Sequence, residues 1–116
     1  MGSADSPLSL LRDPSLLKTD ALINGEWVSG ADRFAVIDPA PGQNIAHVAN
    51  LTDRDAHTAI DASHKAWSVW RRKTAKERSN TLRGWYNLIM ANQDDLARIM
   101  TAEQGKPFAE AKGEVA

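Results

Sequence analysis

Apolar residues in the second half of the chain recur with the spacing of amphipathic helices. Three stripes of this kind follow one another. Their members are Ala56, Ala59, Ile60, Ser63, Trp67 and Trp70, then Leu82, Trp85, Tyr86 and Ile89, then Leu96, Ile99 and Met100; the third predicted helix also bears Glu103. The spacing predicts three helices that pack against a core. We expect Trp85 to be better buried than Trp70, because basic residues follow Trp70 directly.

Each predicted helix begins at a polar residue that can cap its first turn. In a capping box, a threonine hydroxyl and a carboxylate three residues later each accept a hydrogen bond from a free backbone N–H group. Thr52 with Asp55 and Thr74 with Glu77 match this pattern. Asn92, followed by Asp95, predicts the start of the third helix in the same way.

A fourth helix is predicted at the end of the chain. Gly105 can adopt the left-handed conformation that ends a helix, and Pro107 suits the first turn of the next one. Phe108, Ala111 and Val115 then form an apolar stripe that is still running at the last residue. We therefore expect the chain to be a fragment whose natural sequence continues with more helix.

The first half of the chain alternates between short β-prone segments and turn residues. Asn24-Gly25 tolerates positive φ at both positions and predicts a hairpin turn between strands at residues 21–23 and 26–28. Two further strands are predicted at residues 33–38 and 45–51, on either side of a turn that contains two prolines and a glycine. Antiparallel hairpins are thus expected to precede about four helices.

Residues 1–19 are expected to form an arm with short helical turns, because Ser6-Pro7 and Asp13-Pro14 each place a capping residue before a proline. The leucines that follow would lie over the body of the protein; a free amphipathic arm is the alternative. Residues 20–116 are expected to form one structural segment. Met1-Gly2 with Ser6 matches a short myristoylation pattern, but no polybasic second signal follows.

Composition narrows the classes of function. Hydrophobic residues make up 42% of the chain and charged residues 25%, as in ordinary globular proteins. The net charge of −1 provides no field to attract nucleic acid or an anionic membrane, and no apolar run reaches the ~20 residues of a membrane span. We expect a cytoplasmic protein with no nucleic-acid or membrane partner.

The chain contains no cysteine, so it has neither a disulfide nor a cysteine nucleophile of its own. It also contains neither glycine-rich phosphate loop pattern, G-x-G-x-x-G or G-x-x-x-x-G-K-[ST]. His57, Asp61 and His64 share one side of the first predicted helix and could bind a metal ion. The two histidines lie two helical turns apart, however, which favours a solvated face instead.

Two charged groups remain. The basic group could bind a phosphate or complement the negative end of the first helix, and the helix-end role is favoured because an acidic residue interrupts the group. Its members are Arg71, Arg72, Lys73, Lys76 and Arg78. Glu110 and Glu114 lie one turn apart and are expected to form a wet helix face that pairs with Lys112 or with another part of the protein.

Several short motifs resemble, in the same order, the N-terminal region of the aldehyde dehydrogenase superfamily. Within it, the chain is most similar to the NAD(P)-dependent succinate-semialdehyde dehydrogenases. The motifs are Ile23-Asn24-Gly25-Glu26-Trp27, Asp38-Pro39-Ala40-Pro41-Gly42, Ala66-Trp67, Glu77-Arg78, Leu82-Arg83 and Glu103-Gln104-Gly105-Lys106-Pro107, followed by Ala109-Glu110-Ala111 and Gly113-Glu114. Members of the family are several times longer than this chain.

The resemblance implies an α/β fold, in which residues 20–116 are the truncated N-terminal segment of the cofactor-binding domain. It implies a homo-oligomeric parent enzyme that oxidises succinate semialdehyde to succinate with NAD or NADP, through a cysteine thiohemiacetal. The residues that carry this chemistry would follow Ala116, so the chain alone would be inactive. Glutarate semialdehyde or another aldehyde is the alternative substrate. A small, non-catalytic helical interaction module is the alternative class of protein.

The resemblance also implies a structural monovalent cation, held by the main-chain carbonyl of Ile37 and the carboxylate of Glu103, with a third ligand beyond the chain. The alternative is that Glu103 caps its helix or pairs with Lys106. The chain departs from the family at Asp38, where asparagine is usual, and this puts the hydrogen bonding of the turn in doubt. Pro41 and Gln43 depart similarly, from threonine and glutamate.

Overall fold

The computed structural model describes residues 6–116. Two short 3₁₀ helices come first, two antiparallel strand pairs follow, and four α-helices complete the order, as expected for the N-terminal part of this α/β fold. The 3₁₀ helices are Pro7–Leu10 and Pro14–Leu16; the strands are β1 (Ala21–Ile23), β2 (Glu26–Val28), β3 (Asp32–Ile37) and β4 (Asn44–Asn50); the helices are α1 (Asp53–Trp70), α2 (Ala75–Ala91), α3 (Gln93–Gln104) and α4 (Phe108–Val115).

The β1–β2 hairpin confirms the prediction from its turn. Asn24 has φ 51° and Gly25 has φ 77°, so both turn residues adopt the positive φ that a two-residue turn of this kind requires. The register pairs Leu22 with Trp27 across the two strands. The second pair, β3–β4, begins one residue earlier in each strand than predicted.

The Arg33 side chain joins the two strand pairs, a link that the sequence pattern did not reveal. Its guanidinium forms a salt bridge with Asp20 at 2.7 Å and donates to the carbonyl oxygen of Thr19 at 3.1 Å, both just before β1. Its Nε donates to the carbonyl oxygen of His47 in β4 at 3.2 Å. Together with the backbone bond from the Ala49 N–H to the Thr19 carbonyl oxygen at 2.8 Å, this planar cation links the two small hairpins, each of which is marginal alone.

Both predicted capping boxes are confirmed at the N-termini of α1 and α2. The backbone N–H of Thr52 donates to the Asp55 carboxylate at 2.9 Å, and that of Thr74 donates to the Glu77 carboxylate at 2.7 Å. These bonds lower the pKa of both carboxyl groups below their ordinary values, because they favour the charged form. The start of each long helix is therefore set locally.

The predicted capping of α3 is wrong in its detail. Asn92 occupies the capping position, but its side chain donates backwards to the carbonyl oxygen of Leu88 at 2.9 Å and caps nothing. Asp95 turns instead to the N-terminal segment, where its two carboxylate oxygens accept hydrogen bonds from the backbone N–H groups of Arg12 at 3.0 Å and Asp13 at 2.9 Å. The segment before β1 is thus attached to α3, which contradicts a free arm.

The buried core of residues 6–116 is small and lies around α3 and α4. Its buried apolar residues are Ala97, Ala102 and Ala111, and no large side chain in this part of the chain is fully buried. Alanine side chains let the two helix backbones approach closely. A hydrogen bond from the Gln93 side chain to the carbonyl oxygen of Lys112, 3.0 Å long, adds to this contact.

The apolar stripe of α2 is largely exposed in this chain, contrary to the expectation that it faces a core. Trp85 is 64% exposed and Leu88 66%, whereas Trp70 is half-buried. The whole molecule is elongated, with extents of 59 × 35 × 19 Å and a radius of gyration of 17.2 Å. A compact domain of 100 residues has about 13 Å. Large apolar faces of α1 and α2 therefore lie open.

None of the helices within residues 6–116 is both long and apolar enough to cross a membrane. The myristoylation pattern begins at Met1 and Gly2, outside the described residues.

We predict that Asp95→Asn lowers the urea midpoint of unfolding at neutral pH, measured by circular dichroism. The amide keeps one acceptor but turns N–H groups towards backbone N–H groups, which leaves a donor unsatisfied. Asp94→Asn is the matched control, because the Asp94 side chain is half-exposed and its salt bridge with Lys112 (2.8 Å) contributes little. Equal losses in the two variants would contradict the attachment of the N-terminal segment through Asp95.

The loss caused by Asp95→Asn should also depend on pH. The backbone N–H groups of Arg12 and Asp13 lower the pKa of Asp95 from its ordinary 3.8, since they stabilise the carboxylate. The stability that Asp95 provides is therefore fully present above pH 3.8 and lost as the pH falls through the lower, folded-state pKa. A difference between wild type and variant that stays constant down to acidic pH would contradict this.

Candidate functional site at the end of α3

The turn between β3 and β4 is ordered by Asp38, which is only 4% exposed. Its backbone N–H donates to the carbonyl oxygen of Gln43, and its own carbonyl oxygen accepts from Gly42, both at 2.9 Å. One carboxylate oxygen accepts from the backbone N–H of Ala40, also at 2.9 Å. The Asp38 carboxylate thus accepts the same hydrogen bond that the side-chain oxygen of an asparagine would accept here. The replacement of asparagine by Asp38 therefore leaves the hydrogen bonds of the turn intact.

Gly105 ends α3 in the left-handed conformation, as predicted, with φ 72°. A side chain at this position would place its Cβ atom 2.9 Å from Cγ of Pro39, so the glycine also permits close contact with the β3–β4 turn. Pro107 then occupies the capping position of α4, one residue earlier than the first-turn position expected. The end of α3 and the end of β3 are thereby held against each other.

This contact brings the two predicted cation ligands into neighbouring segments. Ile37 lies two residues before Pro39, and Glu103 lies two residues before Gly105. The Glu103 side chain is exposed and makes no hydrogen bond or salt bridge with residues 6–116. No group of three or more histidine, cysteine, aspartate or glutamate side chains suited to a metal occurs in the same range. The cation site at Ile37 and Glu103 therefore stays a prediction.

The ion pairs around α4 differ from those expected. Lys106 pairs with Glu114, not with Glu103, and Lys112 pairs with Asp94 of α3. The first pair joins α4 to the turn that precedes it, and the second joins α4 to α3; as surface ion pairs, both contribute little to stability.

The other polar residues considered as candidate sites are the histidine group and the basic group. His57, Asp61 and His64 are exposed on α1. Arg71, Arg72 and Lys73 lie exposed between α1 and α2, and Lys76 is exposed in α2, whereas Arg78 in α2 is half-buried. Arg71 occupies the C-cap of α1, where its backbone N–H donates to the carbonyl oxygen of Trp67 at 2.9 Å. The helix-end role of the basic group stays a prediction.

Sequence reasoning missed two residues that organise this part of the molecule, Arg33 and Asp95. Their partners are distant in sequence: the Asp95–Arg12 bond spans 83 residues. The sequence marked Asp95 only as part of a polar first turn, Gln93-Asp94-Asp95, in which it was expected to act within α3.

Residues 6–116 offer no cradle for a dinucleotide. Such a cradle needs consecutive backbone N–H groups in a glycine-rich loop before a helix. The positive-φ glycines here lie singly, at Gly25, Gly30, Gly42 and Gly105. The described residues therefore contain no glycine-rich phosphate loop.

Residues 27–116 match the model of the aldehyde dehydrogenase family. The match covers most of the chain, from β2 to the end of α4. The chain therefore belongs to the aldehyde dehydrogenase family.

The chain is similar, to almost the same degree, to curated dehydrogenases that are named for three different aldehydes. A 3-sulfolactaldehyde dehydrogenase from Pseudomonas putida is 51% identical over 107 residues. An NADP⁺ succinate-semialdehyde dehydrogenase from Escherichia coli is 49% identical over 107 residues, and a glutarate-semialdehyde dehydrogenase from Pseudomonas putida is 49% identical over 108 residues. Each alignment covers 90% or 91% of this chain but only 22% of the relative, so the chain spans about a fifth of their length.

Solved structures agree with the fold. An aldehyde dehydrogenase from Brucella melitensis biovar abortus superposes with a TM-score of 0.88 at 54% identity, over 91% of this chain and 22% of that one. A betaine aldehyde dehydrogenase from Staphylococcus aureus, in complex with NAD⁺, has a TM-score of 0.84 at 29% identity, over 94% and 22%. An NADP-dependent glyceraldehyde-3-phosphate dehydrogenase from Bacillus halodurans, complexed with NADP, has a TM-score of 0.82 at 27% identity, over 85% and 21%. The Staphylococcus aureus and Bacillus halodurans structures contain NAD⁺ and NADP, respectively.

We predict that Gly105→Ala destabilises the chain by at least about 1–2 kcal/mol, the cost of the left-handed conformation for a residue with a side chain. The contact with Pro39 should add to the loss. Gly113→Ala is the matched control: nothing lies within 4 Å of the added Cβ, and alanine favours a helix interior by up to ~1 kcal/mol. Urea denaturation of both variants measures the difference. Gly105→Ala as stable as wild type would refute this reading of the junction.

Proposed function

We propose that this chain forms the N-terminal segment of an NAD(P)-dependent aldehyde dehydrogenase that oxidises succinate semialdehyde to succinate. The observation that carries the proposal is identity of about one half over nine tenths of the chain to enzymes that act on small aldehydes with a second acidic group. The same observation keeps glutarate semialdehyde and 3-sulfolactaldehyde as alternatives. The groups that would bind the distal acid lie outside these residues.

The role of the segment is structural in this proposal. The attacking thiolate comes from outside the chain, which has no cysteine. In the full-length enzyme that thiolate would add to the aldehyde carbon, bound NAD(P)⁺ would supply the hydride acceptor, and water would hydrolyse the resulting thioester to the acid. The open faces of α1 and α2, with Trp85 and Leu88 exposed, support a position against the rest of such an enzyme. A self-contained interaction module would leave these faces uncovered.

We further propose that the parent is a cytoplasmic homo-oligomer and that Ile37 and Glu103 contribute a carbonyl and a carboxylate oxygen to a structural monovalent cation site. The contact between Pro39 and Gly105 supports the pairing of these two segments. Oxygen ligands suit such an ion, and the missing ligands come from outside residues 6–116.

The activity test compares the 116-residue chain with the full-length enzyme that carries it, using succinate semialdehyde, glutarate semialdehyde and 3-sulfolactaldehyde with NAD⁺ or NADP⁺. We expect no turnover by the chain alone and the highest kcat/KM with succinate semialdehyde in the full-length enzyme. Heat-labile turnover by the chain would refute its structural role. A higher kcat/KM with glutarate semialdehyde or 3-sulfolactaldehyde would make that aldehyde the proposed substrate, and the proposed reaction class would stay the same.

The cation proposal is tested in the full-length enzyme with Glu103→Gln, and Glu110→Gln is the control on the exposed face of α4. Potassium or sodium chloride should raise the melting temperature of wild type and of the control above that in choline chloride. Glu103→Gln should lose this increment, because the amide removes the ligand charge. An increment that survives in Glu103→Gln would remove Glu103 from the site.

A further inference from the structure

An open groove lies where the end of α1 meets α2. Trp70, Leu82 and Tyr86 form its apolar lining, and Arg78 and Arg83 contribute cations to the same surface. Leu82 and Tyr86 are 53% and 43% exposed, so the lining is accessible. The groove therefore combines an apolar floor with positive charge.

Arg78 has an unmet hydrogen-bonding requirement in this groove. Its Nε atom is buried and has no acceptor among residues 6–116. A buried donor attached to a charged group is costly when it has no partner, so such atoms are almost always satisfied in a finished structure. Arg78 as a whole is half-buried and lines the open groove, so an acceptor can approach its guanidinium from that side.

The charged residues next to the groove indicate that the acceptor carries a negative charge. Glu77, the adjacent carboxylate, is already engaged by the backbone N–H and the hydroxyl of Thr74, at 2.7 and 2.9 Å. The Arg83 guanidinium stacks on Tyr86, 4.9 Å from the ring centroid, which keeps a second cation beside the floor. No carboxylate lines the groove. A guanidinium fork in this setting favours a carboxylate.

We propose that this groove is a docking surface for a polypeptide segment in which a carboxylate is flanked by apolar side chains. The carboxylate accepts from Arg78, and the apolar neighbours cover Trp70, Leu82 and Tyr86. Its source is the part of the enzyme outside this chain, a point that rests on the proposed function, because the chain spans only 22% of its relatives' length.

The test uses the ¹⁵N-labelled 116-residue chain and the peptide acetyl-Leu-Glu-Phe-Leu-amide, followed by NMR at the Arg78 Nε–H and Trp70 indole resonances. We expect saturable shifts of both, and at least fivefold weaker binding of the peptide with glutamine in place of glutamate. Arg78→Gln should abolish this preference and Arg78→Lys should reduce it. Arg72→Gln, which removes a nearby cation outside the groove, should leave it unchanged.

Other outcomes overturn the proposal. Equal binding of the two peptides, or of neither, removes the carboxylate from the interaction. Shifts of Arg78 by inorganic phosphate at lower concentration than by the peptide would make this a phosphate site. Concentration-dependent shifts without peptide, together with dimers in sedimentation, would assign the groove to a second copy. The assay contains no aldehyde or cofactor, so failure here is distinct from failure of the proposed reaction.

Discussion

The contacts made by α3 hold the described part of this chain together. Alanine side chains bring α4 close to α3, and the Asp95 carboxylate attaches the N-terminal segment to the opposite end of the same helix. At its C-terminus, Gly105 lets the β3–β4 turn come into contact. Strand pairs, N-terminal segment and last helix thus meet at one helix, which is why so small a core can order them.

The long helices α1 and α2 show the opposite situation. Their ends are fixed by capping boxes, yet their apolar faces lie largely in solvent. Helices of this length gain most of their stability from packing of an amphipathic face. The elongated shape, and the Arg78 Nε atom that has no hydrogen-bond partner among the described residues, agree with further polypeptide packing against α1 and α2. Membership of a family whose compared members are about five times longer provides that polypeptide in our proposal.

The candidate site illustrates how a scaffold can contribute to function without carrying its chemistry. Ile37 and Glu103 are distant in sequence. The close contact between Pro39 and Gly105 brings the two segments that carry them together. No described residue offers a dinucleotide cradle, and the sequence has no thiolate nucleophile. In our proposal the segment therefore helps to shape the enzyme, and the catalytic residues lie outside the chain.

The sequence by itself determined what is local. The Asn24-Gly25 turn, both threonine capping boxes and the left-handed Gly105 follow from interactions within about four residues, so the pattern of residue types was enough. Only the tertiary structure decided the partners of Arg33 and Asp95, the pairing of Lys106 with Glu114, and the exposure of Trp85. The type of a charged or aromatic residue indicates that it needs a polar partner or an apolar surface to pack against. Which distant group supplies it depends on how the helices and hairpins come together, and on how much polypeptide is there to pack against them.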